Sequence, residues 1–417
     1  MKLKKIAALL ALAGVAAPVF ATNGYFATGV GIKAKAMGGA GIAYAEDGFG
    51  IGANPATLTQ AQAGGSIGGS VFAPDRSVNK SGWQDGNQKS EFLIPEFAYV
   101  KHSDNTLSYG IAVYGNGGMN TDYGTSMYDS PGAGSVGTNR STSSNLEQLF
   151  IAPTIAKKIN DQHTVALSVN IVYQTFEATG LGQFSGFTNS PGVSDPGNQG
   201  KDSSTGIGLK LGWMGQLTKD FSMGAFYQPK TSMEKFSRYK NLFAEQGGFD
   251  IPATYGLGVA FAATPKTTVL LDVVQIDYSK IKSLANKNNY TGGVTNLGND
   301  DGKGFGWTDM TVYKLGVRHQ LDDKTIIRAG WNYGKQPIPA SELDFNLLAP
   351  AVVENHLTLG LTRKLDTNSE ITVHYMHAFN KEVTGVAAGA SATDGTAAVS
   401  ALKMNQNEIG VQYSWKF

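Results

Sequence analysis

Residues 409–417 read Ile409-Gly410-Val411-Gln412-Tyr413-Ser414-Trp415-Lys416-Phe417. Every odd-numbered side chain is large and apolar, and every even-numbered one is small or polar. A period of two over this length describes a strand with one apolar face. The rhythm recurs upstream. Val165, Leu167, Val169, Ile171 and Tyr173 alternate with Ala166, Ser168 and Asn170. Ile207, Leu209, Leu211 and Trp213 alternate with Gly208, Lys210 and Gly212, and Tyr255, Leu257, Val259 and Phe261 do the same.

Two kinds of connection separate these runs, in strict succession. The short ones fall at 104–105, 160–162, 218–220, 264–266, 322–324 and 366–368. The long ones lie near 76–88, 119–145, 177–202, 239–249, 284–308, 336–352 and 386–402, rich in Gly, Asn, Ser and Asp. Together they join about fourteen strands, and long loops on one side with tight turns on the other mark a bacterial outer-membrane barrel. A soluble sandwich needs a second sheet over its apolar face and uses strands of about 5–6 residues. In a bilayer the apolar face needs only lipid, and closure removes every sheet edge. Tyr99, Tyr173, Trp213, Tyr227, Trp331, Tyr333, Tyr375, Trp415 and Phe417 fall near strand ends, as interfacial girdles require. The expected fold is therefore all-β, a transmembrane antiparallel β-barrel spanning residues 62–417.

Composition agrees. The 417 residues include 53 glycines, 16% charged residues and no cysteine. Disulfides, thiol nucleophiles and Cys-ligated metals are thereby excluded. A net charge of +1 gives no footprint for nucleic acid. No apolar run reaches the length of a membrane helix. Lys2, Lys4 and Lys5 precede an apolar run from Ile6 to Ala17, and Val19-Phe20-Ala21 supplies small residues at a cleavage site. Residues 1–21 are expected to be a signal peptide, directing the mature chain to the periplasm or beyond.

Residues 22–61 carry no strand pattern. Gly29, Gly31, Gly38, Gly39, Gly41, Gly48, Gly50 and Gly52 stand among alanines, and Asn54-Pro55-Ala56 closes the stretch. A fourteen-strand lumen is too wide for wall side chains to fill. Small residues would let this segment pack inside it as a plug.

Asn23-Gly24-Tyr25-Phe26, the run Gly31-Ile32-Lys33-Ala34-Lys35-Ala36-Met37-Gly38-Gly39-Ala40-Gly41, Ala45-Glu46-Asp47 and Asn54-Pro55-Ala56 follow one another in this order. The series resembles the N-terminal hatch of the FadL-type long-chain fatty acid transporters, a family that includes toluene and alkane channels. Ile94-Pro95-Glu96-Phe97-Ala98-Tyr99-Val100 and Ile327-Arg328-Ala329-Gly330-Trp331-Asn332-Tyr333, with Pro337 and Pro339 beyond, are similar to two further family blocks. The resemblance implies a fourteen-strand barrel, a hatch and passive diffusion of hydrophobic molecules. It also implies an inward kink in the third strand that opens the wall sideways.

Gly115-Asn116-Gly117-Gly118 breaks the alternation of Leu107, Tyr109, Ile111 and Val113, and glycine clusters in strands mark bulges or bends. These four residues and Asn54-Pro55-Ala56 are the gating candidates. Strand parity turns Lys314, Arg318 and Arg328 inward, with Lys210, Asp272 and His374, so the first three are candidates for a substrate carboxylate. Phe236, Leu242 and Phe243 give loop 233–251 an apolar face, and Phe184 and Phe187 offer a second wall, as an exposed site of first capture. The expected partners are a fatty acid, alkane or aromatic hydrocarbon, with outer-membrane lipid and lipopolysaccharide around a monomer.

No motif calls for a cofactor or a metal. Gly64-Gly65-Ser66-Ile67-Gly68 matches a nucleophile elbow but leads into a strand. An outer-membrane protease or phospholipase would need a His at the loop rim, and no His falls in a long loop. A polar-solute porin is the other rival, and an N-terminal plug argues against it.

Overall fold

The computed structural model describes residues 22–80, 83–86, 90–128, 141–190, 195–288, 296–385 and 399–417. The expected signal peptide, residues 1–21, lies outside the described residues. One continuous antiparallel sheet contains β1 (Gly64–Lys80), β2 (Trp83–Gly86), β3 (Phe92–His102), β4 (Leu107–Asp122), β5 (Ser143–Lys158), β6 (His163–Thr179), β7 (Asp202–Gln216) and β8 (Phe221–Gln228). It continues through β9 (Thr254–Thr264), β10 (Thr267–Ile276), β11 (Met310–Gln320), β12 (Thr325–Gly334), β13 (Asn355–Lys364), β14 (Ser369–Thr384) and β15 (Val399–Lys416). Each long strand pairs with its sequence neighbours, and β15 closes the ring on β1, from Gly64↔Lys416 to Lys80↔Val399. Fourteen strands form the barrel wall, and among the described residues β2 pairs only with the outer end of β1. All six tight turns sit where the sequence put them, and both ends of the strand set fall on that side.

Several strands outrun their expected loops. β1 reaches Lys80 rather than ending near 76, and β4 reaches Asp122 rather than Gly118. The loop expected at 239–249 opens much earlier, after Gln228.

The wall is inverted relative to a soluble protein. Ile207, Leu257 and Ile409 are more than 60% exposed, whereas Ser168, Asn170, Gln174 and Thr358 are buried. Apolar side chains meet lipid, and the polar alternates face inward and bond to one another, as Gln148 does to Gln174 at 3.1 Å. Segment 22–61 lies within this ring as single-turn helices at Ile32–Lys35 and Gly50–Ala53 and a 3-10 turn at Pro55–Thr59. Its backbone bonds to inward side chains on opposite walls, from Asp272 on β10 to Gln412 on β15.

Candidate functional site

Wall glycines give the hatch its seat. A Cβ on Gly330 of β12 would lie 2.1 Å from the Gly38 nitrogen, and one on Gly224 would lie 2.2 Å from the Ile42 oxygen. Gly38 itself has φ +67°, a conformation that favours glycine. Polar contacts fix the register: Gly38 N donates to Thr358 Oγ1 at 2.9 Å, and Asn332 Nδ2 donates to Gly38 O at 3.1 Å. Asp272 accepts from Gly41 N at 2.7 Å and Ile42 N at 3.1 Å.

Three ionic anchors add to this seat. Glu46 receives Arg318 at 2.6 Å and also Arg328, whose side chain is fully buried. Lys33 meets Glu370 at 2.6 Å and Asp47 at 3.2 Å. Lys35 meets Glu96 at 2.9 Å and Glu408 at 3.0 Å. Burial opposes the Glu46 charge, but Arg328, Lys33 and Arg318 outweigh it and hold its carboxyl well below the usual carboxylate range.

Cavities flank the hatch toward both ends of the barrel. A polar vestibule of about 730 Å³ opens at the tight-turn end, lined by Tyr44, Glu46, Gln60, His102, Arg318 and Glu370. Farther along the strands, a cavity of about 90 Å³ lies between Phe26, Ile42, Tyr114, Phe226, Lys210 and Lys314.

Beside this smaller cavity the wall parts. The β3–β4 ladder runs from His102↔Ser108 to Phe97↔Val113 and stops. β3 nevertheless extends back to Phe92 and β4 forward to Asp122. Among the described residues, Phe92 to Glu96 pair only with β1. β4 keeps its ladder with β5, but Asn116 is an extra residue between Gly115↔Leu149 and Gly117↔Gln148. The bulge turns β4 toward the hatch, where Gly118 N donates to Tyr25 O at 2.9 Å and Ala27 N donates to Asn116 O at 3.1 Å. A Cβ on Gly117 would lie 2.0 Å from Tyr25 O, so only glycine permits this approach. The strand therefore kinks and continues rather than ending at the glycines.

A closed fourteen-strand barrel with an internal N-terminal segment is now joined by a match over residues 11–417 to the family model described as outer membrane protein transport protein (OMPP1/FadL/TodX). The chain belongs to this family. It is an outer-membrane transport protein. The toluene transporter TodX of Pseudomonas putida superposes with a TM-score of 0.69 at 19% identity, covering 95% of this chain and 100% of that one. A Pseudomonas aeruginosa FadL homologue gives 0.72 at 13% identity, covering 94% and 100%. The Ralstonia pickettii toluene transporter TbuX gives 0.65 at 19% identity, covering 94% and 99%. At these identities the superpositions establish the fold alone. No curated protein matches the chain.

Within this OMPP1/FadL/TodX barrel the expected site residues take the following places. Lys314, Arg318 and Arg328 face inward, as parity required, but the hatch takes all three. Lys314 Nζ donates to Thr28 O at 2.8 Å and Gly39 O at 3.2 Å, and the two arginines hold Glu46. Arg318 borders the vestibule and Arg328 is buried beside it, with Glu46 present as their carboxylate partner.

The residues expected at the capture site pack within the loops. Phe236 and Phe243 are buried against Phe176, with Leu242 buried in the same loop core. Phe184 packs edge-on to Tyr128 and beside Phe345, while Phe187 is half-buried. Asn54 is an anchor: its Nδ2 donates to Ile42 O at 2.7 Å and Trp213 O at 2.9 Å, while Oδ1 caps Ala56 N at 3.0 Å. Pro55 and Ala56 are buried behind it.

Sequence reasoning passed over Glu46, Lys35 and Glu96 as site residues. A signal for the opening was present in Pro95, since proline inside a barrel strand belongs where a ladder is incomplete. Among the described residues no cluster of three His, Asp or Glu could hold a metal ion.

Proposed function

We propose that this chain is a passive channel for hydrophobic small molecules, which leave sideways into the outer membrane between β3 and β4. The observation that carries this reading is the β3–β4 ladder, which ends at Phe97↔Val113 while both strands run on. The substrate enters among the aromatic loops, reaches the cavity beside Phe26 and Tyr114, and passes out at the Asn116 bulge. Asn54, Pro55 and Ala56 hold the hatch in place, and Gly115, Asn116, Gly117 and Gly118 shape the exit.

The thermodynamics favour a sideways path. Each CH₂ moved from water into hydrocarbon is worth roughly 0.8 kcal/mol, so a hydrophobic solute has little reason to cross the watery vestibule. The hatch, seated between the cavity and the vestibule, closes that route to polar solutes. Toluene is the cargo named for TodX and TbuX, and a hydrocarbon of that kind or a fatty acid suits the present barrel.

Deleting Asn116 tests the reading. The deletion removes the extra residue, restores an even β4 ladder and lets β3 and β4 pair to their ends. Uptake of a hydrophobic substrate is expected to fall to that of cells lacking the protein, at equal barrel abundance. Undiminished uptake would show that the substrate takes another path.

A further inference from the structure

An opening in a barrel wall restores what closure removed, a strand edge beside lipid. Backbone groups on such an edge need partners from the protein, because hydrocarbon supplies none. Beyond Val113, among the described residues, the β4 edge has parted from β3, and its groups are met from inside the barrel. Phe26 of the hatch forms an antiparallel bridge with Gly117. Around that bridge, Ala27 N donates to Asn116 O and Gly118 N donates to Tyr25 O.

Two residues farther out, Asn120 O accepts from Arg76 Nη1 of β1. Arg76 is buried and stands four residues beyond Phe72, the outermost β1 residue in the described β1–β3 ladder. Its side chain therefore passes over the end of β3. On the way, the guanidinium carbon lies 5.9 Å from the centre of the Phe92 ring, at the outermost residue of β3. A guanidinium can donate along its plane while its face lies over a ring. β4 stays laddered to β5 at this level through Asn120↔Asn145. The tie thus joins β1 to β4 where β3 no longer does.

We propose that Arg76 props the lateral opening, by meeting Asn120 O so that the outer β4 edge can stand apart from β3. The inference rests on the sideways exit proposed above and names a residue outside the bulge that keeps it open. The hatch satisfies the inner part of the edge and Arg76 the outer part. Without the guanidinium, Asn120 O loses a charged donor, and the nearest strand with backbone amides to offer is β3. Pairing with β3 draws β4 back into the wall and narrows the gap. Arg76 is a positioning residue, acting through β4 rather than on the solute.

Lys80 supplies the control. It is also a buried cation of β1, and its Nζ donates to Met127 O at 2.8 Å and lies 4.8 Å from the centre of the Tyr128 ring. Met127 follows the end of β4, past the opening.

The test measures uptake of radiolabelled toluene and decane by cells lacking general porins, at equal barrel abundance. Arg76→Met is expected to lower protein-dependent uptake about tenfold, as a buried carbonyl loses its donor. Arg76→Gln, with a side chain too short to reach, should do the same and serves alone if Arg76→Met fails to assemble. Arg76→Lys keeps a donor of sufficient reach and should retain most uptake, and Lys80→Met should match wild type. Hydrogen exchange of the purified proteins separates a prop from a merely structural role. Segments 92–96 and 114–120 should gain protection in the impaired Arg76 variants as the two strands pair. Lost uptake with lowered protection there overturns the proposal, as does an equal loss in Lys80→Met. Wild-type uptake in the Met and Gln variants, with uptake abolished by the Asn116 deletion, overturns the prop and leaves the exit standing. Undiminished uptake in the Asn116 deletion as well overturns the exit itself. Failure of wild type to take up either compound above cells without the protein overturns the channel reading, and the prop with it.

Discussion

Replacing Gly330 by alanine probes how firmly the hatch is held. The added Cβ would lie 2.1 Å from both the Gly38 nitrogen and the Met37 carbonyl carbon, where ordinary contact begins at 3.4 Å. Both neighbours are backbone, so no side chain can rotate aside. The hatch must retreat by more than an ångström. That retreat breaks the 2.9 Å bond from Gly38 N to Thr358, the 3.1 Å bond from Asn332 to Gly38 O, and the 3.2 Å bond from Lys314 to Gly39 O. At about 1 kcal/mol net for each bond, the seated state loses roughly 3 kcal/mol. Such a loss shifts the balance of seated and unseated hatch by roughly a hundredfold. The barrel ladders are untouched, so the variant should still assemble. In planar bilayers, purified Gly330→Ala should open to small ions about a hundredfold more often than wild type. Gly186→Ala is the control, because a Cβ there meets nothing within 4 Å. Wild-type conductance from a properly assembled Gly330→Ala barrel would refute the reasoning: the hatch would then be seated elsewhere, or would not close the lumen.

Glu46→Gln should leave Arg328 buried against a neutral amide and increase polar-solute leakage at neutral pH, measured as entry of a hydrophilic dye. The native Glu46 carboxyl is depressed, so its contribution is complete above the ordinary carboxylate range and is lost as pH falls through that range toward the native value. Wild-type leakage should accordingly stay flat from neutral pH to about 5 and rise only in stronger acid. Asn54→Ala removes the bonds to Ile42 O and Trp213 O and the cap on Ala56, and should lower hatch protection in hydrogen exchange with the wall unaffected. Deleting residues 23–56 should leave a barrel that migrates differently on detergent gels before and after boiling, with raised conductance; identical migration would count against assembly of the wall without its hatch.

The sequence by itself determined the wall. Alternation is a local property, set by backbone pleating, and it fixed which side chains face lipid, from Ile207 to Ile409, and which face inward, including Lys314, Arg328 and Asp272. Turn chemistry is equally local and fixed the six tight connections and the side on which both ends of the sheet meet. The small residues of 22–61 signalled close packing for the same reason: a missing Cβ is written in the residue itself. What the tertiary structure decided is who meets whom. Glu46 lies 272 and 282 positions from Arg318 and Arg328, and only closure of the barrel around the hatch brings them together. Parity could turn those arginines inward but could not say that a carboxylate already awaited them. The loop aromatics were legible as apolar, yet whether Phe236 and Phe243 faced solvent or Phe176 depended on how long connections fold over one another. The opening between β3 and β4 was half-written in Asn116, its flanking glycines and Pro95. Its existence depended on the registers of two ladders at once, because a bulge opens a wall only when the neighbouring strand does not follow it.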